Sequence, residues 1–225
     1  LRYQREDLTM ITHFTGDDTA AHAALHDQML RGRAAVFRDK LGWDVSVING
    51  RESDAYDDAN PLYLVSRDPV DERVAGSIRL MPTTGPTLMR DVFAEVFDED
   101  VDLVSATIWE ATRFCVHPDA PRRLSPKRMH LATCELAIAM CEIGLAAGLT
   151  QYIGVFEERM ERVYARIGWK PDMLARSDRF ATGAIAVGLW DVSEDALAEM
   201  RGRSGIHETL TRPTAISEHG LLHAA

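Results

Sequence analysis

The run Trp109-Glu110-Ala111-Thr112-Arg113-Phe114-Cys115-Val116 sets a carboxylate and a guanidinium into an apolar, β-favouring segment. Charges there are costly to bury unless paired and hydrogen-bonded. A strand that keeps both either holds a plain ion pair or uses them to shift pKa values and orient a substrate. Glu110 and Arg113 stand an odd number of residues apart, so a regular strand would send them to opposite faces. If they serve one site, the strand must be irregular between them, and a bulge is predicted there.

Residues of matching chemistry precede them. Arg33 and Phe37, Trp43, Asp54 and Asp57, Arg79 in Gly76-Ser77-Ile78-Arg79-Leu80, Phe93, and then Glu110, Arg113 and Phe114 occur in that order. With the phrases Arg79-Leu80-Met81-Pro82-Thr83 and Trp109-Glu110-Ala111-Thr112-Arg113-Phe114, the chain resembles the LuxI-type acyl-homoserine-lactone synthases, the autoinducer synthases of bacterial quorum sensing, over roughly residues 25–170. The resemblance implies an α/β fold like that of the GNAT acetyltransferases, a mixed central sheet flanked by helices on both faces. It implies an acyltransferase that moves an acyl chain from acyl carrier protein, or from acyl-CoA, to the α-amine of S-adenosylmethionine. Lactone closure then releases methylthioadenosine. S-adenosylmethionine is a substrate here, and no cofactor or metal is expected. The alternatives are a GNAT-like N-acyltransferase on another amine without lactonisation, and a non-catalytic ligand-binding module on the same fold.

Given that resemblance, the residue types suit the chemistry. An α-amine has a pKa of about 8 and attacks only when neutral, so Glu110 is the candidate to take its proton, directly or through one water. A carboxylate of pKa about 4.3 is a weak base unless burial raises it, and Glu110 also reads as a salt-bridge partner for Arg113. The amide of Phe114 is the candidate donor to the oxyanion. Asp54, Asp57, Arg79, Glu110 and Arg113 are expected to converge in one network, its acids holding the cationic substrate. Read alone, Asp54 and Asp57 are loop acids or a turn cap. They lack the Gly and terminal Glu of an EF-hand loop, and no His or Cys joins them. Phe37, Trp43 and Phe93 offer faces for a sulfonium, with core packing as the other reading of Phe93. Arg33 either orients the substrate carboxylate for an intramolecular closure or pairs with an acid.

The connection after the central strand, His117-Pro118-Asp119-Ala120-Pro121-Arg122-Arg123-Leu124, has no glycine, which disfavours a bare-backbone pyrophosphate cradle. Arg122, Arg123, Lys127 and Arg128 instead offer a patch for an acidic carrier or a pantetheine phosphate, or are solvated surface charges. The acyl-chain pocket is expected between an apolar helix (Leu131, Leu136, Ile138, Met140) and the Tyr152 to Phe156 strand, which holds Gly154. Gly154 falls where a threonine accompanies 3-oxo substrates in some family members. Glycine donates no such hydrogen bond, which points to unsubstituted or 3-hydroxy chains, or to room for a bulkier tail.

The elements that must position these residues follow from periodicity. A helix is predicted over 17–41, a strand over 44–48 ending in the turn pair Asn49-Gly50, and a polar loop over 51–61. Strands over 62–65 and 74–81 form an antiparallel hairpin; a short helix spans 89–96 and the central strand 108–116. An irregular, proline-marked connection leads to a long apolar helix over 127–147. A strand over 150–155, a helix over 157–167, a strand over 180–189 and a short acidic helix after Ser193 complete the pattern. The order suggests a mixed sheet. A single domain over 1–225 is expected, with a mobile tail from about 202.

Composition is that of an ordinary globular chain: 225 residues, 46% hydrophobic and 27% charged. A net charge of −10 argues against general nucleic-acid binding, so any acidic partner must meet a local basic patch. The three cysteines form no C-x-x-C pair, and Cys134 and Cys141 read as small core residues on one helix face. No apolar run approaches the ~20 residues of a membrane span, no signal-peptide pattern opens the sequence, and a cytoplasmic location is expected. The first residue is Leu rather than Met, so the numbering is expected to begin inside the gene product or at an alternative start.

Overall fold

The computed structural model describes residues 11–98, 101–180 and 183–211. Its elements are β1 (Ile11–Thr15), α1 (Ala23–Arg33), β2 (Val47–Ile48), β3 (Arg51–Glu52), β4 (Leu62–Arg67), β5 (Val74–Pro82), β6 (Ile108–Val116), α2 (Leu131–Ala146), β7 (Gln151–Glu157), α3 (Glu161–Ile167), β8 (Asp172–Ser177), β9 (Ile185–Asp191) and α4 (Glu194–Ser204). Seven strands form one sheet in the order β1-β4-β5-β6-β7-β9-β8, and β2-β3 is a separate ribbon. Among the described residues only β6 and β7 pair in parallel, and α2 is their crossover.

Apolar residues on both sides of β4 force a helix onto each face. Leu62 and Leu64 belong to the core under α2, whereas Tyr63 and Val65 pack with Met29 and Leu30 of α1. Helix α2 is apolar nearly all round because it is buried on every side, between the sheet and α4. Cys134 and Cys141 lie in that core.

The expected mixed sheet with helices on both faces is present. Several boundaries differ, each for a local reason. The helix expected over 17–41 is α-helical only from Ala23 to Arg33, then widens to π-winding over Ala34–Lys40. The Asn49-Gly50 pair makes the predicted turn with both residues at positive φ (53° and 78°), but the hairpin it closes returns through Arg51 and Glu52, which the sequence suggests as loop. Strands β1 and β8 were not anticipated; both are edge strands with weak apolar alternation. The last central strand is Ile185–Asp191 rather than 180–189. Residues 127–130 precede the helix: Ser125 and Met129 bond across a turn in which Arg128 takes φ 59°.

The stretch expected to be mobile from about 202 continues α4 to Ser204. It then lays Leu210 and Thr211 against α2, where the Glu142 carboxylate accepts from both amides and the Thr211 hydroxyl. The remainder of that expectation, residues 212–225, lies outside the described residues. Among the described residues no helix is long and apolar enough to cross a membrane.

Candidate active site

Strand β6 carries the site, and its irregularity makes the site. Ser77 pairs with Cys115 but Arg79 pairs with Thr112, so β6 holds one residue more than β5 across this interval. The surplus falls at Arg113, whose φ of 56° is unusual for a non-glycine residue. Glu110, Thr112 and Arg113 thereby project toward the α1 face together, as a shared site requires.

Arg113 donates to Glu52 at 3.0 Å and to Asp54 at 2.8 Å, with its guanidinium carbon 5.3 Å from the centre of the Phe37 ring. Arg79 grips Asp54 with both terminal nitrogens (2.5 and 3.1 Å), donates Nε to the Thr112 hydroxyl, and reaches Asp57 at 3.0 Å. Arg33 is bidentate to Asp57 (2.9 and 3.0 Å) and donates Nε to Glu52 at 2.5 Å. Tyr63 donates to Asp57 as well. Burial alone would raise the Asp57 carboxyl, but Arg33 and Arg79 hold it well below the usual carboxylate range.

Asp54, Asp57, Arg79 and Arg113 thus converge as expected, with Arg33 joining them. Glu110 does not enter the ion pairs, so the salt-bridge reading is corrected. Its oxygens accept the backbone amides of Leu88 (2.9 Å) and Met89 (2.6 Å), the free N–H groups opening the short π-wound turn Met89–Phe93. Burial pushes the Glu110 carboxyl up, partly offset by those two amides. For Arg33, the structure sides with pairing to acids. It is 1% exposed, so it has no surface left for a substrate carboxylate. Asp54 does cap a turn, accepting from Tyr56.

Glu52 was missed, although it is fully buried and bridges Arg33 to Arg113. Its signal was available: it follows the Asn49-Gly50 turn by two residues, where a returning strand points inward. Thr112 was also missed.

Parallel pairing of β6 with β7 ends at Glu110–Ile153, after which the two strands diverge. A cavity of about 380 Å³ occupies the opening and passes through the sheet. On the α1 side Phe37, Trp43, Phe93, Glu110 and Arg113 line it. Phe180 joins those rings, 5.6 Å from Trp43 and 5.7 Å from Phe93. On the other side one face of α2 (Thr133, Ala137, Met140) meets Phe156, Tyr164, Trp169 and Trp190. Phe114 lies on the wall between them.

Met140 and Gly154 therefore line the cavity as expected, and Tyr152 does not. It is fully buried behind Trp169, its hydroxyl donating to the Met140 carbonyl. Leu136 and Ile138 belong to the core, with Leu131 packed against it. Gly154 is explained by close approach, since a Cβ there would stand 2.7 Å from the Ala111 carbonyl oxygen. It supplies no extra room for a tail.

Of the basic quartet, Arg123 is committed inward. It is bidentate to the buried Glu135 (3.0 and 3.1 Å) and 3.2 Å from Asp68, pinning the 117–130 connection to β4 and α2. Arg122 and Arg128 line a groove that Lys40, Arg162 and Arg166 also border, while exposed Lys127 lies outside its lining. This groove shares Val116, Thr133, Met160 and Ile167 with the cavity, so the two are continuous.

Residues 17–200 match the family described as autoinducer synthase. The chain belongs to that family. An acyl-homoserine-lactone synthase of Rhizobium etli is 42% identical over 193 residues, covering 85% of this chain and 89% of the relative. The crystal structure of the synthase LasI superposes with a TM-score of 0.71 at 25% identity, covering 88% of this chain and 98% of LasI. The CoA-dependent synthase BjaI superposes at 0.75 with 24% identity, covering 94% and 99%. As an autoinducer synthase the chain is an enzyme, an acyltransferase that makes N-acyl-homoserine lactone by acyl transfer to S-adenosylmethionine and lactonisation.

Proposed function

We propose that S-adenosylmethionine occupies the aromatic, α1-side end of the cavity and that an acyl thioester enters from the opposite face, the two meeting in the β6–β7 opening. The carrying observation is the continuity of one cavity through the sheet, with Glu110 and Arg113 on one side and an apolar wall on the other. Phe37, Trp43 and Phe93 form the wall for the sulfonium. The solved BjaI structure contains SAM and isopentyl-CoA, which supports this pairing of substrates.

The Leu88 and Met89 amides fix Glu110 in position, and burial raises its pKa toward that of the amine. Directly or through one water, it accepts the proton as the amine attacks the thioester carbon. The Phe114 amide, in the bulged interval and beyond the last β6–β7 pair, is the donor we assign to the oxyanion. The thiol then departs. For closure, the substrate carboxylate attacks its own γ-carbon and methylthioadenosine leaves, a step needing only a bent conformer. Arg113, braced by Glu52 and Asp54, supplies the fixed positive charge facing the substrate. The acids lie behind it and serve as its supports.

Donor binding falls to the groove bordered by Lys40, Arg122, Arg128, Arg162 and Arg166, a positive patch on an acidic chain, suited to the phosphate of a pantetheine arm and an acidic carrier protein. The test is incubation with S-adenosylmethionine and acylated carrier or acyl-CoA, following methylthioadenosine and the lactone by mass spectrometry. Acylated amine without methylthioadenosine would favour the non-lactonising alternative. Reversing Arg122, Arg128, Arg162 and Arg166 to Glu is expected to raise KM for the acyl donor alone.

A further inference from the structure

The three rings at the amine end do not offer a cation equal faces. Phe37 already carries the Arg113 guanidinium, 5.3 Å from its centre. That leaves Trp43, which follows α1, and Phe93, which ends the π-wound turn Met89–Phe93. Among the described residues the Trp43 indole N–H has no hydrogen-bond partner, so neighbouring rings set the angle of the indole. Phe37 stands 5.3 Å away, tilted by 43°, and Phe180 stands 5.6 Å away, nearly perpendicular at 75°. Phe180 also meets Phe93 at 5.7 Å and thereby bridges the two.

Phe180 comes from just beyond the edge strand β8 and is half-buried. Trp43 and Phe93 line the cavity, and Phe180 packs behind them. Its neighbour Arg179 fastens it there. One terminal nitrogen of Arg179 donates to the Val96 carbonyl and to the Asp98 carboxylate, both at 2.8 Å, and Nε reaches the same carbonyl at 3.2 Å. Val96 and Asp98 follow Phe93 by three and five residues, so Phe180 is bolted to the segment that carries Phe93. With Arg179 51% and Asp98 88% exposed, the ion pair adds little stability, and positioning is the better account of it. A cation over an aromatic face is held weakly where water reaches it and several-fold more tightly where water is excluded. We propose that Phe180 is a positioning residue for S-adenosylmethionine: it braces Trp43 against Phe93 and closes their outer edge, so that the sulfonium binds between them out of water. The inference rests on the placement of S-adenosylmethionine at the aromatic end of the cavity, and gives the segment after β8 a share in recognising the cation.

The experiment titrates the full chain calorimetrically with S-adenosylmethionine and with S-adenosylhomocysteine, the neutral thioether that lacks the sulfonium methyl. Phe180→Ala is expected to weaken S-adenosylmethionine about tenfold, the gap between a desolvated and a water-exposed cation–π contact, and to weaken the thioether far less. Phe180→Tyr keeps the ring and is expected to retain the affinity. Arg179→Ala is expected to act in the same direction by less, a second and milder probe of the same contact. In turnover assays KM for S-adenosylmethionine should rise in Phe180→Ala and KM for the acyl donor should not, with thermal unfolding showing that the variant is folded. Equal weakening of both ligands in Phe180→Ala would overturn the proposal, because lost packing alone would produce it. An unchanged affinity for S-adenosylmethionine would do the same. If Trp43→Ala also left that affinity unchanged, the placement of the substrate beneath the inference would fall with it.

Discussion

Two buried ion networks sit on opposite faces of the same sheet. On the α1 face Arg33, Arg79 and Arg113 meet Glu52, Asp54 and Asp57, and every guanidinium touches two acids. On the α2 face a single guanidinium, Arg123, joins Glu135 and Asp68, with Ser66 donating to Glu135. Desolvation nearly cancels the Coulombic gain of such pairs, so neither network is there chiefly for stability. Their difference lies in what they hold. The first is closed on itself and leaves one member, Arg113, facing the cavity. The second faces no substrate and ties down the connection that carries Arg122 and Arg128. One orients a reacting-site charge, and the other orients a docking segment.

The comparison breaks most sharply at Glu52. Glu52→Ala strands Arg33 and Arg113 in a buried site, and is expected to cost about 3–5 kcal/mol of stability together with most turnover. Chemical denaturation and initial rates check this. Arg123→Met is expected to cost about 1–3 kcal/mol, to raise KM for the acyl donor, and to leave KM for S-adenosylmethionine unchanged. Equal effects on both constants would erase the distinction between the networks. Gly154→Ala drives a Cβ into the Ala111 carbonyl where the strands part, with an expected cost of about 1–2 kcal/mol and slower turnover with every donor.

The smallest expected effect is on pH dependence. Burial lowers His117, beside Gly32 of α1, from 6.5 to about 4. Its folded pKa lies below the unfolded one, so the unfolded chain takes up the proton first. Its contribution is complete above about pH 6.5 and diminishes as pH falls toward about 4. Asp57, with its depressed pKa, loses its contribution only at lower pH. Thermal unfolding at stepped pH should therefore show one decline below about pH 6.5 and a separate one at more acid pH, and His117→Asn should remove the first.

Legibility followed the same divide. The charged residues of the α1-face network announced themselves through type and order, and the odd spacing of Glu110 and Arg113 foretold the bulge. Glu135 and Glu142 were just as visible, two carboxylates in an otherwise apolar helix. Their partners come from remote segments, the 117–130 connection and helix α4, that no local pattern pairs with them, so the commitment of Arg123 went unread. Edge strands β1 and β8 were missed because edges need little apolar alternation. Tyr164, Trp169 and Trp190 of the aromatic wall were not singled out, because nothing in their local spacing sets them toward one cavity.

Sequence alone determined the mixed architecture, the hairpins, and which ionisable groups had to find one another. These follow from periodicity, turn chemistry and the cost of lone buried charge, all properties of local order. Tertiary structure decided that Glu110 is held by amides instead of Arg113, that Arg33 is sealed, and that the cavity crosses the sheet. Those depend on where β6 leaves β7, a divergence set by the bulge and by packing against α2 and α3, which no stretch of either strand contains by itself.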